Sequence, residues 1–470
     1  MKKKIWQAMA SGAVAVLVLL FAVACGECRH ESFTTFSSEK NPTCTEAGWH
    51  REEYICDECH TLLDVQQTQI PPTGHRLEGG AICLDCGFAA GSSGLVYEAS
   101  TVQHGYVCVG VGTCTDEVIY IAEQINGLPV VQIDVRAFEG NQAITRVVMP
   151  STVKSVGPEA FKDCINLKTV SIPDSVWYVA SNAFDGCTSL KYTEKGGAFY
   201  LGNDKNPCAF LSHLLDKSIA ECDIASSTVC ISQSAFFGCG NIKKLVIPSG
   251  VLNISGSSFE GCSSLEELSL PDNLLSLGMS AISHCNNLKY YEYDGCRYLG
   301  NEKNPAIVLV EAVDKEKATY DIPETVRCIY PRAFQGCKLT SIVIPDRVTD
   351  IGKEAFDSCT ELKSLKIGKS VICIQICAFY RCSSLEKVVL PPTELNVQAG
   401  AFAECTSLKE ITIYSSTYNI GRLLLDGCTS IETVKFVGSE EEFNYIIIEE
   451  ENEVLLNTKR EYVSEILGNT

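Results

Sequence analysis

Seven cysteines and histidines near the N-terminus have the types and spacing to hold a metal ion. His30, Cys44, Cys56 and Cys59 form one set, closed by a Cys-x-x-Cys step. That step presents two thiolates to one tetrahedral ion, and an imidazole with a third thiolate completes the four ligands that structural zinc takes. A shorter set, His75, Cys83 and Cys86, follows with its fourth ligand open, Cys28 being one candidate. No open coordination position or neighbouring general base is evident, so the expected cofactor is structural zinc. Disulfides are the alternative, with a Cys56–Cys59 bridge excluded by its tight geometry. A segment this small has little apolar core and needs some staple.

The words around these residues, Pro42-Thr43-Cys44-Thr45-Glu46-Ala47-Gly48 and Pro72-Thr73-Gly74-His75, resemble zinc-ribbon-like repeats near the termini of bacterial surface proteins. Residues 25–90 form this Cys/His segment, and 91–94 (Gly-Ser-Ser-Gly) read as a linker. Ahead of it, Lys2–Lys4 and the apolar run 13–24 have the form of an export signal, too short to span a membrane comfortably. Val23-Ala24-Cys25-Gly26 looks like a lipobox, which makes residues 1–24 the signal and Cys25 the lipidated mature N-terminus. An ordinary secretory signal cleaved near Ala24 is the alternative, and export follows from both.

The chain carries 26 cysteines, and ten of them belong to a different pattern. Ala355-Phe356, followed by Cys359, recurs at Phe161/Cys164, Phe184/Cys187, Phe236/Cys239, Phe334/Cys337, Phe379/Cys382 and Phe402/Cys405, with variants at Phe138, Phe259, Ile282 and Leu425. The step is mostly 23 residues, once 22 and twice 52. A fixed short period means a solenoid, in which each coil buries its apolar face only against its neighbours. In one coil, Ile351, Ala355 and Cys359 lie on one stripe of a short helical turn, and Leu365-Lys366-Ile367 alternates as a short strand. The expected fold class is therefore an α/β repeat solenoid, β-dominated, with one strand and one helical turn per coil. Column cysteines would stack with parallel Cβ vectors, which favours packing thiols over disulfides.

The pattern I-P-x-x-V-x-x-I-x-x-x-A-F-x-x-C-x-x-L resembles BspA-type leucine-rich repeats of bacterial surface proteins, over residues 134–437. Residues 95–133 resemble the opening cap of such arrays and 438–470 the closing cap. The two long steps hold enlarged coils near 191–224 and 289–322, where Tyr200-Leu201-Gly202-Asn203 returns 98 residues later as Tyr298-Leu299-Gly300-Asn301. Each reads as a β-hairpin bulging from a duplicated block and ending in a sheet strand, Glu221–Ile224 or Tyr320–Pro323. Thirteen strands would then make one sheet roughly 60 Å long.

A net charge of −20 argues against nucleic acid as a partner. Gly368-Lys369-Ser370 ends like a phosphate loop, but Lys363 stands where the first glycine is required. With no nucleophile elbow and only scattered histidines in the array, no enzyme is expected. Variation is concentrated in the middle residue of each strand: Val148, Ser171, Glu194, Asp223, Val246, Ser269, Glu292, Asp321, Val343, Lys366, Val389, Thr412 and Lys435. The pairs Glu194/Asp223 and Glu292/Asp321, with Lys366 and Lys435, are candidate ligand-binding residues. The resemblance implies a lipid-anchored cell-surface protein that recognises a host or bacterial protein or glycan. A structural envelope scaffold and a glycan- or peptide-capturing lipoprotein are the alternatives.

Overall fold

The structure is a computed structural model, and it describes residues 32–40, 48–58, 60, 62–70, 77–78, 82–83, 91–100, 105–180 and 182–464. Two compact units divide at Ala90/Gly91. In the first, Phe33–Lys40, Gly48–Cys56 and Leu62–Ile70 form an antiparallel sheet, and Leu77–Glu78 pairs with Ile82–Cys83.

The second unit is a solenoid with two strands per coil where the sequence predicts one. A three-residue strand such as Ser341–Val343 lies on the front, and a two-residue strand such as Asp350–Ile351 lies on the back. Ile351, assigned from its spacing to a helical stripe, is a strand residue. The predicted helical turn is absent. Glu354 and Ser358 bracket the Ala-Phe pair with φ of +56° and +60°, and Glu159 and Asp163 do the same at +56° and +58°. Left-handed residues of this kind cannot sit inside an α-helix. The stripe still points inward: Ile351, Ala355 and Cys359 are fully buried, because tight turns deliver the same face to the core. Helices occur among the described residues only in the closing segment, at Glu440–Phe443 and Glu453–Asn457.

Parallel pairing runs from coil to coil, but neither face is one long sheet. The front is interrupted into groups of three, two, two and four strands. The interruptions after Thr169–Ser171 and Glu267–Ser269 fall at the enlarged coils, which do not bulge. Thr193–Lys195, Ala198–Leu201 and Phe210–Leu214 make an antiparallel meander that hands over to the back sheet at Cys230–Ile231. Tyr291–Tyr293, Cys296–Leu299 and Val308–Ala312 repeat it. The segments Glu221–Ile224 and Tyr320–Pro323, expected as strands, have no regular secondary structure.

These meanders are partition walls. Tyr200 and Leu211 face one core while their neighbours Leu201 and Phe210 face the one before it. Tyr298 and Leu309, against Leu299 and Val308, divide the next pair of cores in the same way. The array thus holds three successive cores. Outside the walls the blocks meet at seams: Thr349 Oγ1 donates to the Leu275 carbonyl at 3.1 Å, and Ser276 Oγ donates to Asp350 Oδ2 at 2.8 Å.

Candidate binding face

Inside each coil the repeated residues are structural. Phe334, Phe356, Phe379 and Phe402 form a continuous stack with ring centroids 4.9, 4.9 and 5.0 Å apart. Beside it runs a sulfur ladder in which eight of the ten column thiols donate to the phenylalanine carbonyl of the preceding coil, the exceptions being Cys239 and Cys337, which follow the walls. Examples are Cys164 to Phe138 (3.0 Å), Cys359 to Phe334 (3.1 Å), Cys382 to Phe356 (3.3 Å) and Cys405 to Phe379 (3.2 Å). Burial pushes the Cys164 thiol up to about 11 and that of Cys187 to about 12. The three-unit rise at Cys187 cuts its thiolate population about 1,000-fold, which makes it a packing group and a poor nucleophile.

The front strands expose alternate residues. In Lys244–Val246 the outer residues are exposed while Leu245 points inward. Val246 and Val343 are each 57% exposed, which makes the face apolar in part. Ion pairs cross it from coil to coil: Lys244–Glu267 (2.7 Å), Lys289–Glu266 (2.8 Å) and Lys409–Glu386 (3.0 Å). Exposed pairs of this kind are screened by solvent, contribute little to stability, and serve mainly to hold side-chain rows in place.

The predicted ligand-binding residues are not one cluster. Glu292 is paired with Arg297 (3.1 Å), which also reaches Glu311 (2.8 Å). Asp321 lies outside any strand and accepts a hydrogen bond from the Tyr293 hydroxyl (2.6 Å). Glu194 ends up on the first wall, and Asp223 again lies outside any strand; both are exposed. Lys366 is exposed on its front strand. Lys435 pairs with Glu410 at 2.6 Å, and Lys387 holds the same carboxylate at 2.9 Å. Thr412, expected on the solvent side, is buried. The like-charge neighbours read as acidic pairs in the second block are thus dispersed into local contacts.

Of the metal-site residues, Cys56 is buried at the end of its strand, opposite Phe33, and Cys83 lies in the short strand Ile82–Cys83. His30, Cys44, Cys59, His75 and Cys86 lie outside the described residues, as does Cys25. Among the described residues no helix is long and apolar enough to cross a membrane.

Two strands per coil, an inward phenylalanine column and an exposed front face define a leucine-rich repeat solenoid. The chain belongs to the BspA type leucine rich repeat region family, whose pattern matches residues 128–197, 214–302 and 321–452 in six copies. Among solved structures it is similar to a leucine rich cell surface protein from Faecalibacterium prausnitzii, at 23% identity over 76% of this chain and 96% of that one, with a TM-score of 0.32. A leucine-rich repeat protein from Bacteroides ovatus matches at 24% identity over 79% and 98%, with a TM-score of 0.27. The pneumococcal vaccine antigen PcpA matches at 17% identity over 80% and 98%, with a TM-score of 0.32. A search of curated proteins finds no match.

Proposed function

We propose that this protein is exported, held at the bacterial cell surface through a lipid on Cys25, and acts by non-covalent recognition of a macromolecule. The observation that carries the reading is the division of labour within each coil. The repeated residues are consumed by the interior, while the front face changes from coil to coil and leaves valines such as Val246 and Val343 in water. Exposed apolar side chains on a rigid sheet, bordered by paired charges, are the composition of an interaction surface. Host or bacterial surface proteins and glycans are the proposed partner classes.

The test is a binding screen of the full chain against matrix proteins, bacterial envelope extracts and glycans. A saturable partner is expected, weakened about tenfold by Val246→Glu together with Val343→Glu, a typical loss for two contact residues. Binding to envelope components alone would favour the scaffold role, and binding untouched by the double variant would remove the front face from the reading.

For the Cys/His segment we propose structural zinc, held by His30, Cys44, Cys56 and Cys59, with His75, Cys83 and Cys86 contributing to a second site. The buried thiol of Cys56 at a strand end is the type of group such a site draws on. Metal analysis should return about one zinc or more per chain, and chelation should unfold this segment. A metal-free, folded, disulfide-linked segment would overturn it.

A further inference from the structure

The seam between the second and third blocks carries an acid where the seam before it carries an amide. The acid lies against a strand held by few bonds. Ser276–Leu277 ends its sheet and, among the described residues, pairs on one side only, with Asn253–Ile254. Across the seam its hold is through side chains. Thr349 Oγ1 and Cys328 Sγ donate to the carbonyls of Leu275 and Leu274 at 3.1 and 3.8 Å, and Ser276 Oγ donates to Asp350 Oδ2 at 2.8 Å. At the earlier seam Asn253 Nδ2 and Cys230 Sγ donate to the Trp177 carbonyl. Neither of those donors changes charge near neutral pH, since an amide does not titrate there and burial pushes the Cys230 thiol up to about 12.

Asp350 differs from both. It is 5% exposed, and no charged group acts on its carboxyl. Cys328 and Cys373 flank it on the two paired strands, and burial holds both thiols neutral, well above their ordinary value. Arg327, beside Cys328, acts on that thiol and not on the carboxyl. Ser276 and Gln375 supply hydrogen bonds but no charge. A carboxylate shut into this place lacks the water or counter-ion that its charge requires. The nearest route for water is the seam itself. Parting it breaks side-chain bonds and leaves the backbone ladders on both sides paired. The wall between the two cores has residues buried on both faces, Tyr298 and Leu309 on one and Leu299 and Val308 on the other, and it stays shut.

We propose that this seam is an acid-closed latch: it is shut with Asp350 protonated, and loss of that proton parts Ser276–Leu277 from the third block while the cores stay folded. The proton goes to solvent, and water hydrates the carboxylate left behind. Burial in the closed seam raises the Asp350 carboxyl from 3.8 to about 6, and an open, hydrated seam returns it towards 3.8. The closed form therefore holds the proton more tightly. Closure is fully favoured below about pH 3 and weakens as the pH climbs through about 6. Of the two seams, one is fixed and the other answers to acid.

Cys328 and Cys230 make the test, because they are equivalent thiols 98 residues apart, both fully buried, one at each seam. The full chain is labelled with a dipyridyl disulfide, which reacts in acid as well as at neutral pH, and read by peptide mass spectrometry. Taking the ratio of Cys328 to Cys230 labelling cancels the ordinary pH dependence of a thiol. That ratio should rise about 30-fold between about pH 4.5 and 7.5, given the separation of roughly two units between closed and open forms. Asp350→Asn should hold it constant within about twofold, as the amide at Asn253 does for its own seam. Ser276→Ala, which keeps the charge but removes a bond across the seam, should raise the ratio at both pH values and keep the rise between them. A ratio independent of pH, a rise that survives Asp350→Asn, or no effect of Ser276→Ala would overturn the proposal. So would an equal rise at Cys405, which is fully buried inside the third core, since the block would then be unfolding as a whole.

Discussion

Phe379→Ala is expected to lower the unfolding free energy of the third core by about 3–5 kcal/mol, measured by chemical denaturation of the full chain. The ring is fully buried and stacked between Phe356 and Phe402 at 4.9 and 5.0 Å. Removing it opens a cavity and ends both stacking contacts, each worth about 0.5–1.5 kcal/mol beyond burial. A ladder cannot collapse into the hole, because the coil spacing is set by backbone bonds such as Phe356 N–H to Ala378 O (2.7 Å) and Phe379 N–H to Ala401 O (2.8 Å). Phe379→Leu should cost only about 1–1.5 kcal/mol, since the column already accepts Leu425. A Phe379→Ala protein within 1 kcal/mol of the parent would mean that the stack does not hold the coils together.

Asp350→Asn is expected to act in the opposite direction, raising stability by up to about 3 kcal/mol above pH 7. Asp350 is buried at the seam between the second and third blocks with no cation beside it. Its carboxylate accepts from the Gln375 amide (2.9 and 2.8 Å) and from the Ser276 hydroxyl (2.8 Å). Burial outweighs these hydrogen bonds and pushes the carboxyl from its ordinary 3.8 up to about 6. Below about pH 3, a unit under the unfolded chain's 3.8, the group is neutral folded and unfolded and costs nothing. As the pH climbs from 4 to 6 the unfolded chain gives up its proton first, and the fold loses about 1.4 kcal/mol per unit of separation. Asn253 fills the matching place one block earlier, with its amide donating to the Trp177 carbonyl, so an amide suits the seam. Denaturation midpoints of the two proteins should coincide at about pH 3 and separate by pH 7. Parallel pH profiles would show that burial in the seam does not raise the Asp350 carboxyl above its ordinary value.

How much of this was legible in the sequence follows from which forces act locally. The phenylalanine, cysteine and leucine columns were readable because stacking imposes one residue type on every coil. The second strand was not. Ile351, Ala355 and Cys359 are spaced four apart, which fits a helix as well as a chain that leaves a strand and turns twice. The left-handed residues that decide the matter, Glu354 and Ser358, carry no glycine signature. The walls did leave a signal that was passed over. Ala198-Phe199-Tyr200-Leu201 is apolar at every position, the mark of a strand with both faces covered. The candidate face was partly legible: Val246, Val343 and Lys366 are exposed as expected, whereas Thr412 is buried and Asp223 and Asp321 fall outside the strands.

The partition walls also set how the protein would respond to pulling. In an unbroken solenoid, tension applied at the ends peels coils one after another from a fraying tip. Here a transverse antiparallel meander stands between successive cores, and its inward residues belong to both. Rupture of one compartment stops at the next wall, so length is released in large discrete steps. A block of 98 residues pays out about 330 Å of contour. Such a chain behaves as a staged extensible tether: it yields by one compartment under load while the others keep their shape and whatever they hold.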